Sequence, residues 1–569
     1  MTMFYVEKHS LEAVDELEGK FEELLHQEVG SVDELEAWMK RQSQLFEEVD
    51  EILSGHYVDF QCRNNDEVAK QKFEHDQQVI QPLIKKYEAL FDRKFYDSPY
   101  RDQLDQEFYK EYIKSKKNAI ELFREENIPL EVKEDGLQTA YFEVTGALTV
   151  LWEGEEKTLH QMQNYLQDPD RAVREKAWGL VQESCLSVKD KLQDIMDELV
   201  QIRHQKAVNA GLANFRDYMF KKYERFSYTP EDCHRLAEAI HKYVVPIKEE
   251  IEKKHQVELG VDRYRPWDTD AVPQGQQPLR PFDKVEELIE GTKQVLNGVD
   301  PLLADLLERM NRNGMLDLEN RKAKSPGGFC LLLPVSELSF IFMNASGKQD
   351  DVTTMIHEMG HCFHNELKRS FPLREYKETP MESAELASMS LEYLTLDKWT
   401  EFYPDKQELK RAQREHLEGA IKFLPWGAVV DQFQHWMYEH PSHTAEERNA
   451  KFLELARKYL TTYQDWSDFD EELANRWLRQ LHFFEVPFYY IEYVIANLGA
   501  LQMYRQYKQD PGQAVANYKK ALSLGSSRPL SEVYEAAGIR FDFSETMIRE
   551  LMEFVQAELD QLSADENYH

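Results

Sequence analysis

The sequence predicts a mainly α-helical protein with a small amount of β-structure, and three observations predict it. Charged residues make up 31% of the 569 and hydrophobic residues 42%, while Gly (23) and Pro (21) are sparse, a helix-rich globular profile rather than a disordered one. Apolar residues recur at three- and four-residue spacing through most of the chain. Strand formers bounded by turn residues gather in only two places, around 142–152 and 329–343. The length allows several domains or one large two-lobed body.

From residue 10 to about 130 one helix follows another. Ser31-Val32-Asp33-Glu34 is a capping-box pattern, with Leu35, Met39 and Leu45 at helical spacing behind it. Asn64-Asn65-Asp66 and Ser98-Pro99 mark breaks between helices. The dense Glu and Lys here reads as solvated helix faces, so the region reads as a lobe that shapes access to a site elsewhere. Phe142, Val144, Leu148, Val150 and Trp152, with a turn at Glu153-Gly154-Glu155-Glu156, read as a short hairpin or as a buried helix start. Asp168-Pro169-Asp170-Arg171 caps a helical run to about 207. Thr229-Pro230-Glu231-Asp232 opens another, with an N-cap and Pro at the first helical position. The Pro- and Gly-rich stretch 263–281 around Trp267 is a linker or a folded loop. After helices to Asn313, Ser325-Pro326-Gly327-Gly328 leads into two apolar runs, 329–333 and 338–343, separated by a turn, which is a hairpin signal. Helices return afterwards, one opened by the capping box Thr444-Ala445-Glu446-Glu447.

The chemistry gathers between Val352 and Glu392, at His357-Glu358-Met359-Gly360-His361. Residues four apart on a helix share a face, about 40° around the axis, so two imidazoles can grip one tetrahedral ion. Glu358 sits about 100° from His357, beside the ion, where a general base belongs. A chance HExxH is expected roughly 0.06 times in this composition. Val352, Met355, Ile356, Met359 and Phe363 form an apolar stripe, so the helix is buried and its polar cluster needs partners or a metal. Zinc in a catalytic site takes a third protein ligand and keeps a position for water. Glu385 on the following helix is the candidate, with Glu382, one turn earlier on the same face, as a rival. His364 returns to the face of His357 about 10.5 Å further along and is read as a supporting or packing residue. Cys362 points about 100° away from His361 and neighbours the site. Glu392, two turns after Glu385, is placed to orient a histidine.

A second patch runs His482-Phe483-Phe484-Glu485-Val486-Pro487-Phe488-Tyr489-Tyr490-Ile491-Glu492-Tyr493. Tyr490 and Tyr493 fall on one face of a helix expected to begin at Pro487. With 28 Tyr in the chain, such a cluster is commonly core; a phenol or imidazole aimed at the metal would supply the donor an oxyanion needs.

HEMGHCFH followed by PMESAELASMSLEYL resembles the thimet oligopeptidase and oligoendopeptidase F family of zinc peptidases, whose pattern is HExGHxxH with a Glu ligand on the next helix. The resemblance runs from about Gly327 to Gly538. It implies His357, His361 and Glu385, in preference to Glu382, as the ligands of one zinc ion, with Glu392 and His364 behind them. It also implies Glu358, His482, Tyr490 and Tyr493 as catalytic residues, with Tyr489 as an alternative to Tyr490. The thimet branch carries a Gly-rich loop between its His and first Tyr; here the segment is Gly-free and holds Pro487. The hairpin before the motif helix is a structural mini-sheet or an edge for an extended peptide; the resemblance favours the second, giving Gly328, Phe329 and Tyr489 as substrate-binding candidates. It implies two helical lobes flanking a deep cleft or channel, the small sheet beside the zinc helix, and short peptides as substrates. The domains expected are an N-terminal helical lobe over 1–140 and a zinc-peptidase region over 141–569.

A net charge of −36 argues against nucleic-acid or anionic-membrane partners. Cys62, Cys185, Cys233, Cys330 and Cys362 are few and scattered, which implies no disulfide framework and a reducing compartment. The first twenty residues lack a signal-peptide pattern, and the apolar stretch 487–504 is interrupted by Glu492, Asn497 and Gln502, so the expectation is a cytoplasmic protein. The function expected is zinc-dependent oligoendopeptidase. The alternatives are a zinc carboxypeptidase or dipeptidase of similar build, or a peptide-binding scaffold without activity.

Overall fold

Helix boundaries follow the polar punctuation of the chain. Ser31 caps Val32–Cys62, its Oγ accepting from the Glu34 amide, while the Glu34 carboxylate turns back to Gly30 N rather than to the cap residue. Asp66 caps Glu67–His75 and Asp170 caps Arg171–Leu186; full capping boxes stand at Thr229 with Asp232 and at Thr444 with Glu447. The computed structural model, which describes residues 4–564, is mainly helical with two small sheets. Among the described residues, no helix is long and apolar enough to cross a membrane.

The chain forms two compact units, each discontinuous in sequence. One gathers Met1–Ile120, Leu279–Gln413 and Ile495–Phe541; the other gathers Glu121–Pro278, Arg414–Val494 and Asp542–His569. The expected division at residue 140 is linear, whereas these units interleave. In the first, the N-terminal helices pack with the segment carrying the histidine motif. Glu51, buried on Val32–Cys62, accepts from the amides of Val335 and Ser336 and so ties that helix to the turn before the motif.

Among the described residues five strands form: β1 (Thr149–Trp152), β2 (Glu155–Thr158), β3 (Leu316–Glu319), β4 (Phe329–Leu333) and β5 (Leu338–Ala345). In the second unit β1 and β2 are a hairpin that starts later than its apolar run: Phe142 and Val144 belong to the helix Ile128–Gly146. Val150 and Trp152 turn inward onto Met162, Trp178 and Trp267. Trp267 lies in a folded loop, since buried Arg174 bonds both the Trp267 carbonyl and the Asp268 carboxylate. In the first unit the sheet order is β3-β5-β4, with β4 antiparallel to β5 and β3 parallel to it. Lys324 secures this sheet by donating to the carbonyls of Asp317, Glu319 and Met343. β4 is an edge strand, and β5 leads directly into the motif helix.

Candidate metal centre

The motif helix Gln349–Lys368 buries the apolar stripe read from its sequence: Val352, Met355, Ile356, Met359 and Phe363 are at most 1% exposed. Its Asp351 carboxylate accepts from the amides of Ser346 and Lys348, which fixes the turn out of β5. Opposite lies the carboxylate helix Met381–Leu394. They meet at Gly360, where a Cβ would stand 2.5 Å from Ser388 Cα and 2.8 Å from Ala387 O. Only glycine permits this approach, and it is a role that reading Gly360 as part of a motif does not disclose.

This packing brings His357, His361 and Glu385 together, with one donor atom of each within 4.8 Å of the others. His357 Nε2 is 3.3 Å from Glu385 Oε2, His361 Nε2 is 3.8 Å from Glu385 Oε1, and the two rings stand nearly perpendicular at 5.0 Å. His357 Nδ1 bonds Glu392 Oε1 at 2.6 Å, which fixes the tautomer and aims Nε2 at the centre. Ser388 Oγ donates to Glu385 Oε2 at 3.0 Å, a support that sequence spacing did not single out. Glu382 is buried one turn earlier and is not part of the trio.

Burial and charge set the protonation of these groups. Burial opposes charge on His357, but its bonds to Glu385 and Glu392 outweigh it and hold its proton well above the usual range. Burial, helped by His357, lowers His361 to about 4, leaving a neutral ring able to donate a lone pair. Glu385 is pushed up by burial and pulled down further by His357 and His361, so it stays a carboxylate. Glu358 is 7% exposed, and burial with Glu385 and Glu392 nearby raises it to about 7 despite His357.

His364 is buried, and its proton affinity is lowered by burial and by Lys368 and His361. Cys362 faces away from the ligands, its Sγ 3.5 Å from Cys330 Sγ of β4. A cavity of about 660 Å³ within this unit is lined by His361, His364, Lys368 and residues 330–332 of β4. Gly328 and Phe329 lie at the start of β4, outside that lining, and the Phe329 ring stacks on Phe342 at 4.7 Å.

In the second unit, His482 stands on Leu481–Glu485 and is ringed by Tyr490 at 4.8 Å and by Tyr489 and Tyr493 at 6.3 Å. The helix that carries Tyr493 begins at Ile491, not at Pro487 as expected, because Phe488 adopts a left-handed backbone (φ 66°). That conformation costs a residue with a side chain roughly 1–2 kcal/mol. It is held in place by Gln434, which accepts the Phe488 amide, and by Arg225, which binds the Phe488 carbonyl and Glu492. Fully buried Arg203 bonds the carbonyls of Phe483 and Phe484. A Gly-free segment is therefore clamped rather than loose. Burial lowers the His482 imidazole and raises the Tyr490 phenol to about 12, so both are neutral donors.

Fold and centre define a helical protein in which two histidines and a carboxylate, the donor types of an open metal site, converge beside a buried glutamate. The family described as Peptidase family M3 matches residues 164–553, and the Peptidase M3 N-terminal domain matches 9–123; this chain belongs to peptidase family M3, a family of metallopeptidases. Oligopeptidase PepF of Bacillus subtilis is 23% identical over 398 residues, 66% of this chain and 55% of that protein. An oligoendopeptidase F homolog of Lactococcus lactis is 24% identical over 378 residues, 64% and 58% respectively. The matched stretch thus spans a little over half of these relatives. The solved structure of PZ peptidase A with inhibitor 2 superposes with a TM-score of 0.88 at 26% identity, covering 98% of both chains.

Proposed function

We propose that the protein is a zinc-dependent oligoendopeptidase cutting internal bonds of short peptides. The observation that carries this reading is the convergence of His357, His361 and Glu385 with the Glu358 carboxylate buried beside them. Two imidazoles and a carboxylate are the donors of open, catalytic zinc sites, whereas closed structural sites favour Cys. The donor set fits zinc, which when bound supplies Lewis acidity toward a water and the scissile carbonyl. The side chains do the rest. A Glu358 carboxylate oxygen takes the proton of the attacking water and passes it to the leaving amine. Glu392 keeps His357 in the ligating tautomer. The resemblance assigns oxyanion donation to Tyr493 and Tyr490, with His482, a role that phenol and imidazole protons can fill. The free edge of β4 offers an extended peptide backbone hydrogen bonds. Relatives named oligopeptidase and oligoendopeptidase F support the substrate class.

The test is a peptide length series assayed with and without a chelator. A ten-residue peptide should be cut internally and a folded protein spared, and chelation should stop both zinc binding and hydrolysis. Equal cleavage of the two substrates removes the size limit; hydrolysis that survives metal removal removes zinc from the reading.

One observation favours a second reading, a peptidase that anchors a terminal carboxylate. Lys368 is 4% exposed and lines the same cavity as His361; burial lowers its ammonium to about 8. A cation there can pair with a substrate's C-terminus. Amidating the C-terminus of one defined peptide separates the two: unchanged internal cuts support the endopeptidase, and loss of cleavage supports the carboxylate anchor.

A further inference from the structure

The second unit holds another group of metal-type donors that the proposed hydrolysis does not use. Cys233 stands on the helix Pro230–Tyr243, and Asp431 and His435 stand one turn apart on the long helix Lys406–Glu439. One donor atom of each lies within 4.8 Å of the others, and all three residues are 1% exposed. The protein alone satisfies Asp431 and His435 poorly. Neither ring nitrogen of His435 has a hydrogen-bond partner, and neither does Asp431 Oδ1. His435 Nε2 lies 3.2 Å from Asp431 Oδ2 without hydrogen-bond alignment. Orphaned polar groups in a core are costly, and a carboxylate more so.

A divalent cation would satisfy a carboxylate oxygen of Asp431 and one ring nitrogen of His435 together. A thiolate and a carboxylate balance its charge, and a neutral imidazole donates a lone pair, so no net charge remains in the core. A further imidazole lies beside the trio without belonging to it. The ring of His234, next to Cys233 in the chain, lies 4.8 Å from that of His435, and its Nδ1 is held by Gln432 Oε1 at 2.7 Å.

We propose that Cys233, Asp431 and His435 bind a zinc ion whose role is structural. A thiolate among the donors and full burial are marks of structural rather than catalytic zinc sites. Such an ion ties Pro230–Tyr243 to Lys406–Glu439. It also backs the Phe488 ring, which meets His435 edge-on at 5.4 Å, and through it the left-handed turn before Tyr489 and Tyr490.

Metal analysis of the full chain tests this, with zinc alone as the probe. Wild type should carry two zinc ions per chain, His361→Ala one, and His361→Ala combined with Cys233→Ser none. Cobalt gives a readout independent of turnover. A thiolate bound to Co(II) produces a near-ultraviolet sulfur-to-metal charge-transfer band that a His, His, Glu centre cannot. The band should appear in wild type and in His361→Ala, and vanish in Cys233→Ser shown by circular dichroism to be folded. A His361→Ala chain that carries no zinc, a wild-type chain loaded with cobalt but lacking the band, or a band that survives Cys233→Ser would each overturn the proposal. Hydrolysis is not part of the readout, so failure here is distinct from failure of the peptidase reading.

Discussion

Two trios of metal-type donors sit in this chain at the same spacing and in opposite surroundings. In each, one helix supplies a pair four residues apart, His357 with His361 and Asp431 with His435, and the donors lie within 4.8 Å. The imidazoles of the first are about one-fifth exposed (22% and 20%) and His361 lines a cavity of about 660 Å³; the second trio is sealed at 1%. Glu392 and Ser388 brace the first, while the second leaves three polar atoms unbonded. The difference teaches that ligand spacing decides whether an ion can be held, and access decides whether it can react.

That contrast can be broken one side at a time. Glu358→Gln should cut hydrolysis by about 10²–10⁴ and leave zinc in place, since it removes the proton acceptor and no ligand. Activity near wild type in that variant would take the base role away from Glu358. Tyr493→Phe should lower kcat by about 10²–10³ with little change in KM, because an oxyanion donor acts mainly in the transition state. An unaltered rate would return the tyrosine cluster to a packing role. Glu392→Gln should weaken zinc binding at the first trio by about 10–100-fold, read by competition with a chelator, and leave the Cys233 trio untouched. Equal affinity before and after would show that His357 needs no brace.

The smallest expected effect is on pH. Glu358 acts only as a carboxylate, and burial lifts it from 4.5 to about 7. A bound cation favours the charged form and pulls that value down. Hydrolysis should therefore fall on acidification through a limb at or below about 7, roughly tenfold per unit. A kcat/KM profile flat across that range would contradict the assignment.

The histidine pair was legible because it is local; for the carboxylate, spacing left Glu382 and Glu385 open, and the family resemblance favoured Glu385. The caps at Asp170, Thr229 and Thr444 were legible for the same reason, being written in four consecutive residues. Strand β3 was not: it pairs in parallel with β5 across the intervening hairpin, and parallel pairing leaves no turn signature. The hairpin turning at Glu153-Gly154 was legible, but its start was not, because Phe142 and Val144 belong to the helix that ends at Gly146. The start of the Tyr493 helix misled because proline marks a helix opening only when its neighbours stay right-handed, and Phe488 does not. The Cys233 trio is invisible to spacing, since the partner helices are far apart in sequence and only folding joins them.

Gly360 makes the reach between the imidazole pair and Glu385 a matter of main chain rather than rotamer, because the two helices touch there with nothing between them. Zinc tolerates ligand errors of only about 0.2 Å. A single added methyl is thus expected to weaken ion binding at the proposed centre while His357, His361, Glu385 and Glu358 all stay in the sequence. On the proposed reading, affinity for the ion depends partly on a residue that never meets it.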